Sequence, residues 1–174
     1  LRVIDAGHIT VGRLGMLVRR YKRRMAAAGR KVELVIVDYL QLVQPDRHRK
    51  SQYEAISAVS MGLKSIAKTN EVAVLALAQL SGEVERRPDK PPQLPDLRDS
   101  DQIEQDADAV LFLVRDEYYV RRDEPDPQTP DHLAWQDALG KVEGQIEFIW
   151  AKRGNGRTGK AWGEFHGAFQ AVRG

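Results

Sequence analysis

The sequence has no cysteine, and no apolar run in it approaches the roughly 20 residues of a membrane span. The absence of cysteine excludes a disulfide framework and a thiolate metal site. The first residues also lack the long apolar core of a secretory signal, so a soluble, intracellular protein is the simplest interpretation. The four histidines show no metal-ligand spacing. The 27 Lys and Arg residues nearly balance the 25 Asp and Glu residues, and this small net charge gives no strong global argument for nucleic-acid binding.

The chain is long enough for one substantial core. With 174 residues, of which 42% are hydrophobic and 30% charged, it is predicted to fold as a single globular domain. It begins at Leu1 and enters "LRVID" without a polar lead-in, as expected of a chain cut inside a larger protein.

Apolar strands alternate with amphipathic helices along the sequence. A short strand is expected at 2–5 and a helix at 11–28, with Thr10 as its N-cap and Gly29 as its stop. The outer face of this helix is strongly basic, which fits either a solvated face or a surface for nucleic acid or a neighbouring subunit. A second helix is expected at 52–68. Its buried side is predicted to consist of Tyr53, Ile56, Val59, Leu63 and Ile66.

Two predicted strands end on polar residues. "VELVIVDYLQL" stops being apolar at Asp38, and "VAVLALAQL" reaches Gln79; "DAVLFLV", 108–114, is a third apolar run. Continuous apolar strands separated by helices are typical of an α/β fold with a parallel sheet covered on both faces. Ligands of such sheets bind outside the carboxyl ends of the strands. Asp38 is therefore either a turn residue or, as in nucleotide hydrolases of this plan, a magnesium-site residue with Gln79 as a phosphate sensor.

The remaining segments contain turns and loops. The prolines between 88 and 95 exclude a regular helix or central strand there and predict an exposed, partly mobile loop. Segment 121–140 is interpreted as a loop insertion containing a short helix around Trp135. Residues 145–172 alternate like two antiparallel strands around a glycine-rich turn at 154–159. Their aromatic residues are interpreted as core packing: Trp150, Trp162, Phe165 and Phe169.

The glycine-rich turn resembles a phosphate-binding loop only in part. "GNGRTGKA" fits G-x-x-x-x-G-K-[ST] until its last position, where Ala161 replaces the hydroxyl that would bind magnesium. Such a loop also needs a helix after it, so that amides at the helix N-terminus face the phosphates. Because the following sequence is typical of a strand, the turn is not interpreted as a phosphate loop.

Four segments in fixed order carry a family resemblance. "VIVDYLQL", "AVLALAQLS", "LRDSDQIEQDADAVLFLVRDEYY" and "AKRGNGRTG" resemble the C-terminal RecA-like motor domain of DnaB-type replicative DNA helicases. The resemblance makes residues 1–174 the C-terminal part of one RecA-like domain, with only 121–140 outside the pattern. It implies a mostly parallel sheet with helices on both faces and an antiparallel C-terminal hairpin. The family's phosphate loop and catalytic glutamate lie upstream of Leu1, so this chain alone is expected to be inactive in an otherwise ATP-dependent helicase.

The resemblance also implies residue roles. Asp38 would orient Mg²⁺ through its water shell, and Gln79 would contact the γ-phosphate of ATP and couple its loss to the DNA loops. The family loop that holds single-stranded DNA matches Arg98, Asp99, Ser100 and Asp101. The family usually has glycine in place of Asp101, so the added negative charge is expected to weaken this grip.

The finger motif departs from the family. Its "K-x-R-N-G" reaches into the ATP site of a neighbouring subunit, but this chain keeps Lys152 and has Gly154 where the arginine belongs. Arg153 stands one residue earlier, and on a strand a shift of one residue reverses the side chain's direction. Arg153 is therefore the expected finger if the backbone bulges or twists near Gly154. Lys152 alone and Arg157 are the alternatives.

The resemblance further implies a homo-hexamer on single-stranded DNA, with a primase or helicase loader as partner, in the cytoplasm of a bacterial or phage-infected cell. A RecA-class recombinase or repair ATPase is one alternative function. A non-catalytic module that binds DNA or a partner through the basic helix is another. Arg115, in "VRDEYY", fits a subunit or DNA contact, or an ion pair with Asp116 or Glu117.

Overall fold

The computed structural model describes residues 1–87, 91–97 and 101–174. The chain divides into two compact units, Leu1–Ala107 and Asp108–Gly174, which are described separately below. In these described ranges, no helix combines the length and apolar character needed to cross a membrane.

Two long helices pack together in the first unit. Helix α1 spans Val11–Ala27 and α2 spans Gln52–Asn70. The Thr10 side chain caps α1 by accepting a hydrogen bond from the Arg13 amide, and Gly29 follows the helix with φ of 67°, so both predicted ends are confirmed. A Cβ added at Gly62 of α2 would collide with a methyl of Val11. The glycine therefore lets the two helices approach closely.

The described residues of the first unit form two parallel pairs of strands. Strand β1, Ile9–Thr10, pairs with β3, Val43–Gln44. Strand β2, Leu34–Val37, pairs with β4, Ala73–Ala76, and their register places Ile36 opposite Leu75.

The two faces of the β2–β4 pair differ in exposure. Val37 is buried on the inner face, with Val35 and Val74 partly covered beside it. The outer face is apolar but uncovered by described residues. Its members and their exposed fractions are Leu34 (52%), Ile36 (55%), Leu75 (53%) and Leu77 (45%).

The segment after β4 is more ordered than its sequence predicts. Helix α3 spans Glu83–Arg86, a single 3₁₀ turn spans Leu94–Asp96, and α4 spans Asp101–Asp106. The whole proline- and charge-rich segment 82–108 was expected to be an exposed loop, and this is wrong where Val84 and Asp96 are buried. An ion pair between Arg87 and Asp96 (2.7 Å) holds this part of the segment. Pro88 lies outside the described residues.

Two local predictions in the first unit are wrong. No strand forms at 2–5, because β3 offers its parallel partner at Ile9 and Thr10 instead. Tyr53, expected on the buried side of α2, is 48% exposed in the first turn of that helix. Helical periodicity gives the direction of a side chain but not how far the covering elements extend. The other four residues expected on this side are buried: Ile56, Val59, Leu63 and Ile66.

The second unit is an antiparallel sheet of four strands in the order β5-β6-β7-β8. Strand β6 and strand β7 form the predicted C-terminal hairpin, and β5 pairs antiparallel with β6, although its apolar run suggested a parallel neighbour. The inner side chains of β5 and β6 form the core of this unit. The strands span Ala109–Val114 (β5), Gln145–Arg153 (β6), Gly159–His166 (β7) and Ala171–Arg173 (β8).

Two helices connect β5 to β6, and the second contains the short helix expected around Trp135. Helix α5 spans Asp116–Arg122 and α6 spans Asp131–Val142. The indole Nε1 of Trp135 donates a hydrogen bond to the Val120 carbonyl (2.6 Å), which ties α6 to α5. The interpretation of the C-terminal aromatics as core is wrong for two of them, because the short sheet leaves Trp162 and Phe169 exposed.

Candidate nucleotide and DNA site

Asp38 and Gln79 lie at the same edge of the parallel β2–β4 pair. Asp38 follows β2 directly, and Gln79 lies three residues beyond β4. Backbone pairing continues past both strands, since Leu77 N donates to Val37 O (3.0 Å) and Leu40 N donates to Leu77 O (2.8 Å). The predicted proximity of the two strand ends is therefore present, and both residues are exposed.

The side chain of Gln41 connects the two strand ends. Its Nε2 donates to the Gln79 carbonyl (3.4 Å), and its Oε1 accepts from the Gln79 amide (3.3 Å). A 3₁₀ turn at Leu40–Leu42 brings Gln41 into place, and the Asp38–Tyr39 peptide bond before it is cis. Gln41 thus positions the backbone of Gln79 and leaves the Gln79 side chain available for a ligand. The sequence carried no signal for this contact.

The carboxylate of Asp38 at this edge is suited to a magnesium ion that is held mainly by water and phosphate. Among the described residues, no group of three or more His, Cys, Asp or Glu side chains is placed to hold a metal. Mg²⁺ usually keeps several waters and binds one or two protein carboxylates together with substrate phosphates. The single exposed carboxylate of Asp38 is suited to that arrangement.

The candidate DNA loop is anchored on its first side. Arg98, Asp99 and Ser100 lie outside the described residues. Leu97, immediately before them, forms an isolated antiparallel bridge with Leu80, the residue after Gln79. The Ser81 amide also donates to the Asp96 carbonyl (2.8 Å).

Carboxylates hold both flanks of this loop, and the one before it is buried. Before it, Asp96 is only 5% exposed and accepts hydrogen bonds from Arg87 Nη2 and the Gln93 amide, each at 2.7 Å. After it, α4 begins at Asp101, which is exposed.

The end of α4 is held against α2. Asp106 accepts from Ser60 Oγ of α2 (2.8 Å) and from Gln102 Nε2 (2.9 Å). The loop is thus short and held at both ends within the first unit.

The finger region in the second unit contains a backbone irregularity. Val110 pairs with Lys152 and Leu111 pairs with Trp150, so Ala151 is an extra residue in β6. Gly154 has φ of 37°, in the left-handed region, and its amide donates to the Asp108 carbonyl (2.7 Å). The bulge and twist required for the Arg153 interpretation are therefore both present.

Arg153 is exposed at the start of the glycine-rich turn. The Gly156 amide donates to the Arg153 carbonyl (2.5 Å), which closes the turn. The guanidinium of Arg153 lies 5.5 Å from the centre of the Trp150 ring. Strand β7 begins directly at Gly159, so "GNGRTGKA" leads into a strand and lacks the helix that a phosphate loop needs.

A charged cluster centres on Glu117 in the second unit. Its Oε2 accepts from Arg115 Nη2 (3.3 Å) and from the Gly144 amide (3.1 Å), and its Oε1 accepts from Arg121 Nε (2.8 Å). The hydrogen bond from Arg121 holds the pKa of Glu117 below its ordinary value, against the opposing effect of burial. The predicted ion pair between Arg115 and Glu117 is confirmed.

A cavity of about 310 Å³ lies beside this cluster. Its walls include Arg115 and Phe165, and the guanidinium carbon lies 3.8 Å from the centre of the Phe165 ring. This cation–π contact fixes the position of Arg115 in the wall of the cavity. The sequence did not predict this cavity, because its walls come from separate strands and loops.

The parallel pair with polar strand ends and the antiparallel sheet after it agree with the RecA-like fold expected from the sequence. A family model described as the DnaB-like helicase C-terminal domain matches residues 1–173. The chain is 41% identical over 155 residues to the replicative DNA helicase DnaB of Rickettsia conorii, covering 89% of this chain and 30% of that protein. It is 34% identical to the DnaB of Helicobacter pylori, covering 87% and 35% of the two chains.

Two solved structures are similar along nearly the whole chain. One is described as a DnaB-like replicative helicase and its interactions with primase, and the other as an ATPase domain. Each superposes with a TM-score of 0.81 and 34% identity over 99% of this chain, covering 36% and 54% of the respective structures. The chain belongs to the DnaB-like helicase C-terminal domain family. It spans about a third of the length of the curated relatives named above.

Proposed function

We propose that this chain is the C-terminal part of the motor domain of an ATP-dependent replicative DNA helicase. The parent protein translocates on single-stranded DNA as a homo-hexameric ring and unwinds duplex DNA. One observation carries the proposal: Gln79, at the sheet edge, is followed directly by Leu80, which bridges to Leu97 at the start of the DNA loop. The candidate phosphate sensor and the candidate DNA grip thus lie on separate segments that backbone pairing joins.

The chain supplies two groups to the nucleotide. Asp38 holds the water shell of Mg²⁺, which when bound neutralises charge on the phosphates of ATP. The side-chain amide of Gln79 contacts the γ-phosphate from the neighbouring strand end. The side chain of Gln41 is hydrogen-bonded to the backbone of Gln79. Loss of the γ-phosphate therefore moves the end of β4 and the turn after Asp38 together.

The loop at 98–101 holds the DNA strand. The Arg98 guanidinium and backbone amides contact phosphates without reading sequence, as expected of a translocating motor. Asp101 adds a negative charge beside this grip and weakens it. Displacement of Gln79 and Leu80 pulls on Leu97, which precedes Arg98 directly.

The second unit completes the site of a neighbouring subunit. Arg153 acts as the finger in trans, with Lys152 beside it, because the bulge at Ala151 and the twist at Gly154 re-aim the end of β6. Activity therefore requires a ring. The similar structure described with primase supports a primase as partner, with a helicase loader as the second candidate, in the bacterial or phage-infected cytoplasm.

ATP turnover by the full-length protein, with and without single-stranded DNA, tests the proposal. The 174-residue chain alone should show no turnover, and the full-length protein should be stimulated by DNA. Asp38→Asn should lower turnover by about 100-fold, the upper range for groups that orient a metal's outer shell. Asp5→Asn, an exposed aspartate of the same unit, is the control and should leave turnover unchanged.

Three results would contradict the proposal. Robust hydrolysis by the isolated chain would restore "GNGRTGKA" as a phosphate loop. An Asp38→Asn protein with full activity would favour a non-catalytic binding module. Strand exchange without unwinding would favour a RecA-class recombinase.

A further inference from the structure

The outer face of α1 carries a stripe of five exposed arginines, called here the arginine stripe. From Ala6 to Val32 the sequence contains no Asp or Glu, so no carboxylate interrupts it along the chain. A purely solvated helix face normally mixes charges of both signs. The members of the stripe are Arg13, Arg19, Arg20, Arg23 and Arg24.

Helical geometry places these side chains on one surface. At 3.6 residues per turn they fall within an arc of about 140°, and at 1.5 Å per residue they extend over about 17 Å. Gly15 and Val18 are buried on the other side of the helix, and Gly15 faces Ile66 of α2. Arg19 lies at the edge of this contact, because its Nη1 is 3.6 Å from the Cβ position of Gly15, whereas the other four arginines lie farther round the exposed face.

The arginine stripe lacks acidic partners in the described part of the chain. None of its five side chains makes an ion pair or hydrogen bond with a described residue. Elsewhere in the same unit, Arg86 pairs with Glu83 and Arg87 pairs with Asp96. Like charges four residues apart, such as Arg20 and Arg24, destabilise a helix. An external anion would relieve this repulsion.

The residue type favours phosphate as that anion. The only lysine of α1, Lys22, turns inward and donates to the Asn70 carbonyl, so every exposed cation of the helix is arginine. Arginine is more weakly hydrated than lysine and binds phosphate oxygens in a bidentate manner. A surface on which every charge is a guanidinium suits the uniformly anionic backbone of DNA better than a protein surface of mixed charge.

The arginine stripe is separate from the loop at 98–101. Helix α1 packs on α2 at Gly62 and Ile66, whereas α4, which follows the loop, is bound to α2 through Ser60. We infer that the arginine stripe is a second contact surface for the phosphate backbone of DNA, outside the loop. The inference goes beyond the proposed function and rests on it only in that the parent protein handles DNA.

Salt dependence of DNA binding by the full-length protein tests this surface. The triple variant Arg20→Gln, Arg23→Gln, Arg24→Gln removes three charges while keeping good helix formers. With a long oligo(dT) strand as probe, the slope of log Kd against log salt should become shallower by about 2, since each lost phosphate contact on a single strand removes about 0.7. The matched triple Arg→Lys variant should retain the wild-type slope. ATP turnover without DNA and hexamer formation should not change.

The outcomes separate the two proposals. A Gln variant with the wild-type slope, in a protein that binds DNA, overturns the inference and leaves an acidic protein surface as the partner of the stripe. A Lys variant that loses the slope as the Gln variant does also overturns it, because charge alone would then not explain the loss. Failure of the wild type to bind the oligo(dT) strand contradicts the proposed function instead.

Discussion

The two units position their candidate residues by different means. In the first unit, Asp38 and Gln79 end adjacent parallel strands, and regular backbone pairing fixes where they lie. In the second unit, Arg153 follows an extra residue in β6 and precedes a left-handed glycine, so its direction depends on an irregularity. Regular backbone pairing determines where a strand ends, and many sequences satisfy it. A bulge determines to which face of the sheet the next side chain points, and one inserted or deleted residue reverses that direction.

The largest effect is expected in the second unit. Arg153→Ala should lower ATP turnover of the full-length ring by about 10³-fold, the lower range for an arginine finger. Arg157→Ala, from the same exposed turn, is the control and should have a much smaller effect. In rings mixed from wild type and Arg153→Ala, activity should fall in proportion to the mutant interfaces. The interpretation of the bulge fails if Arg157→Ala is the damaging change.

The next largest effect is expected from removing the buried carboxylate of Asp96, which should lower the stability of the first unit. Asp96→Ala should reduce the free energy of unfolding by about 2 kcal/mol, because the Arg87 guanidinium and the Gln93 amide lose their acceptor in a buried position. Glu83→Ala removes the exposed pair with Arg86 and should cost about 0.5 kcal/mol or less. Urea unfolding of both variants gives the comparison, and equal losses would contradict it.

The contact between Gln41 and Gln79 should have a smaller effect on coupling. Gln41→Leu keeps the side-chain size but removes two long hydrogen bonds, worth about 1 kcal/mol together, so DNA-stimulated turnover should fall by about fivefold. Gln44→Leu removes a comparable exposed contact, with His8, and should leave turnover unchanged. Equal stimulation in Gln41→Leu and wild type would show that backbone pairing alone positions Gln79.

The smallest expected effect is the pH dependence of the second unit. The pKa of Glu117 is lowered in the folded state, chiefly by the hydrogen bond from Arg121, so this cluster stabilises the fold above the ordinary glutamate pKa. The stabilisation should be lost as pH falls through the lowered folded value. Thermal unfolding of Glu117→Gln should therefore change less between neutral and acidic pH than that of wild type. Glu33→Gln, at an exposed glutamate of the first unit, should follow the wild-type curve.

The sequence predicted the regular unit better than the irregular one. The position of Asp38 at a strand end could be predicted, because its apolar run stops at the carboxylate, whereas its role as turn or site residue could not. The bulge at Ala151 could not be placed, because the alternation of β6 is too weak around Ala151 to show the change of phase that an extra residue causes. For Arg153, the sequence showed only that its role as the finger requires a bulge or twist of the backbone near Gly154.

Side-chain surroundings were also beyond the sequence. The contact between Gln41 and the Gln79 backbone depends on the 3₁₀ turn at Leu40–Leu42, and no local sequence pattern predicted that turn. The exposure of Tyr53 and Trp162 depends on where neighbouring elements stop. The periodicity of a sequence predicts which face of one helix or strand is apolar. Whether that face is buried depends on the neighbouring element that covers it.

The apolar outer face of the β2–β4 pair has a consequence for handling the chain in solution. Its four large side chains are each about half exposed, and they form a contiguous strip on two short parallel strands. Such strips drive self-association unless another surface covers them. Self-association of the 174-residue chain is therefore expected, and light scattering should show an apparent molar mass that rises with its concentration.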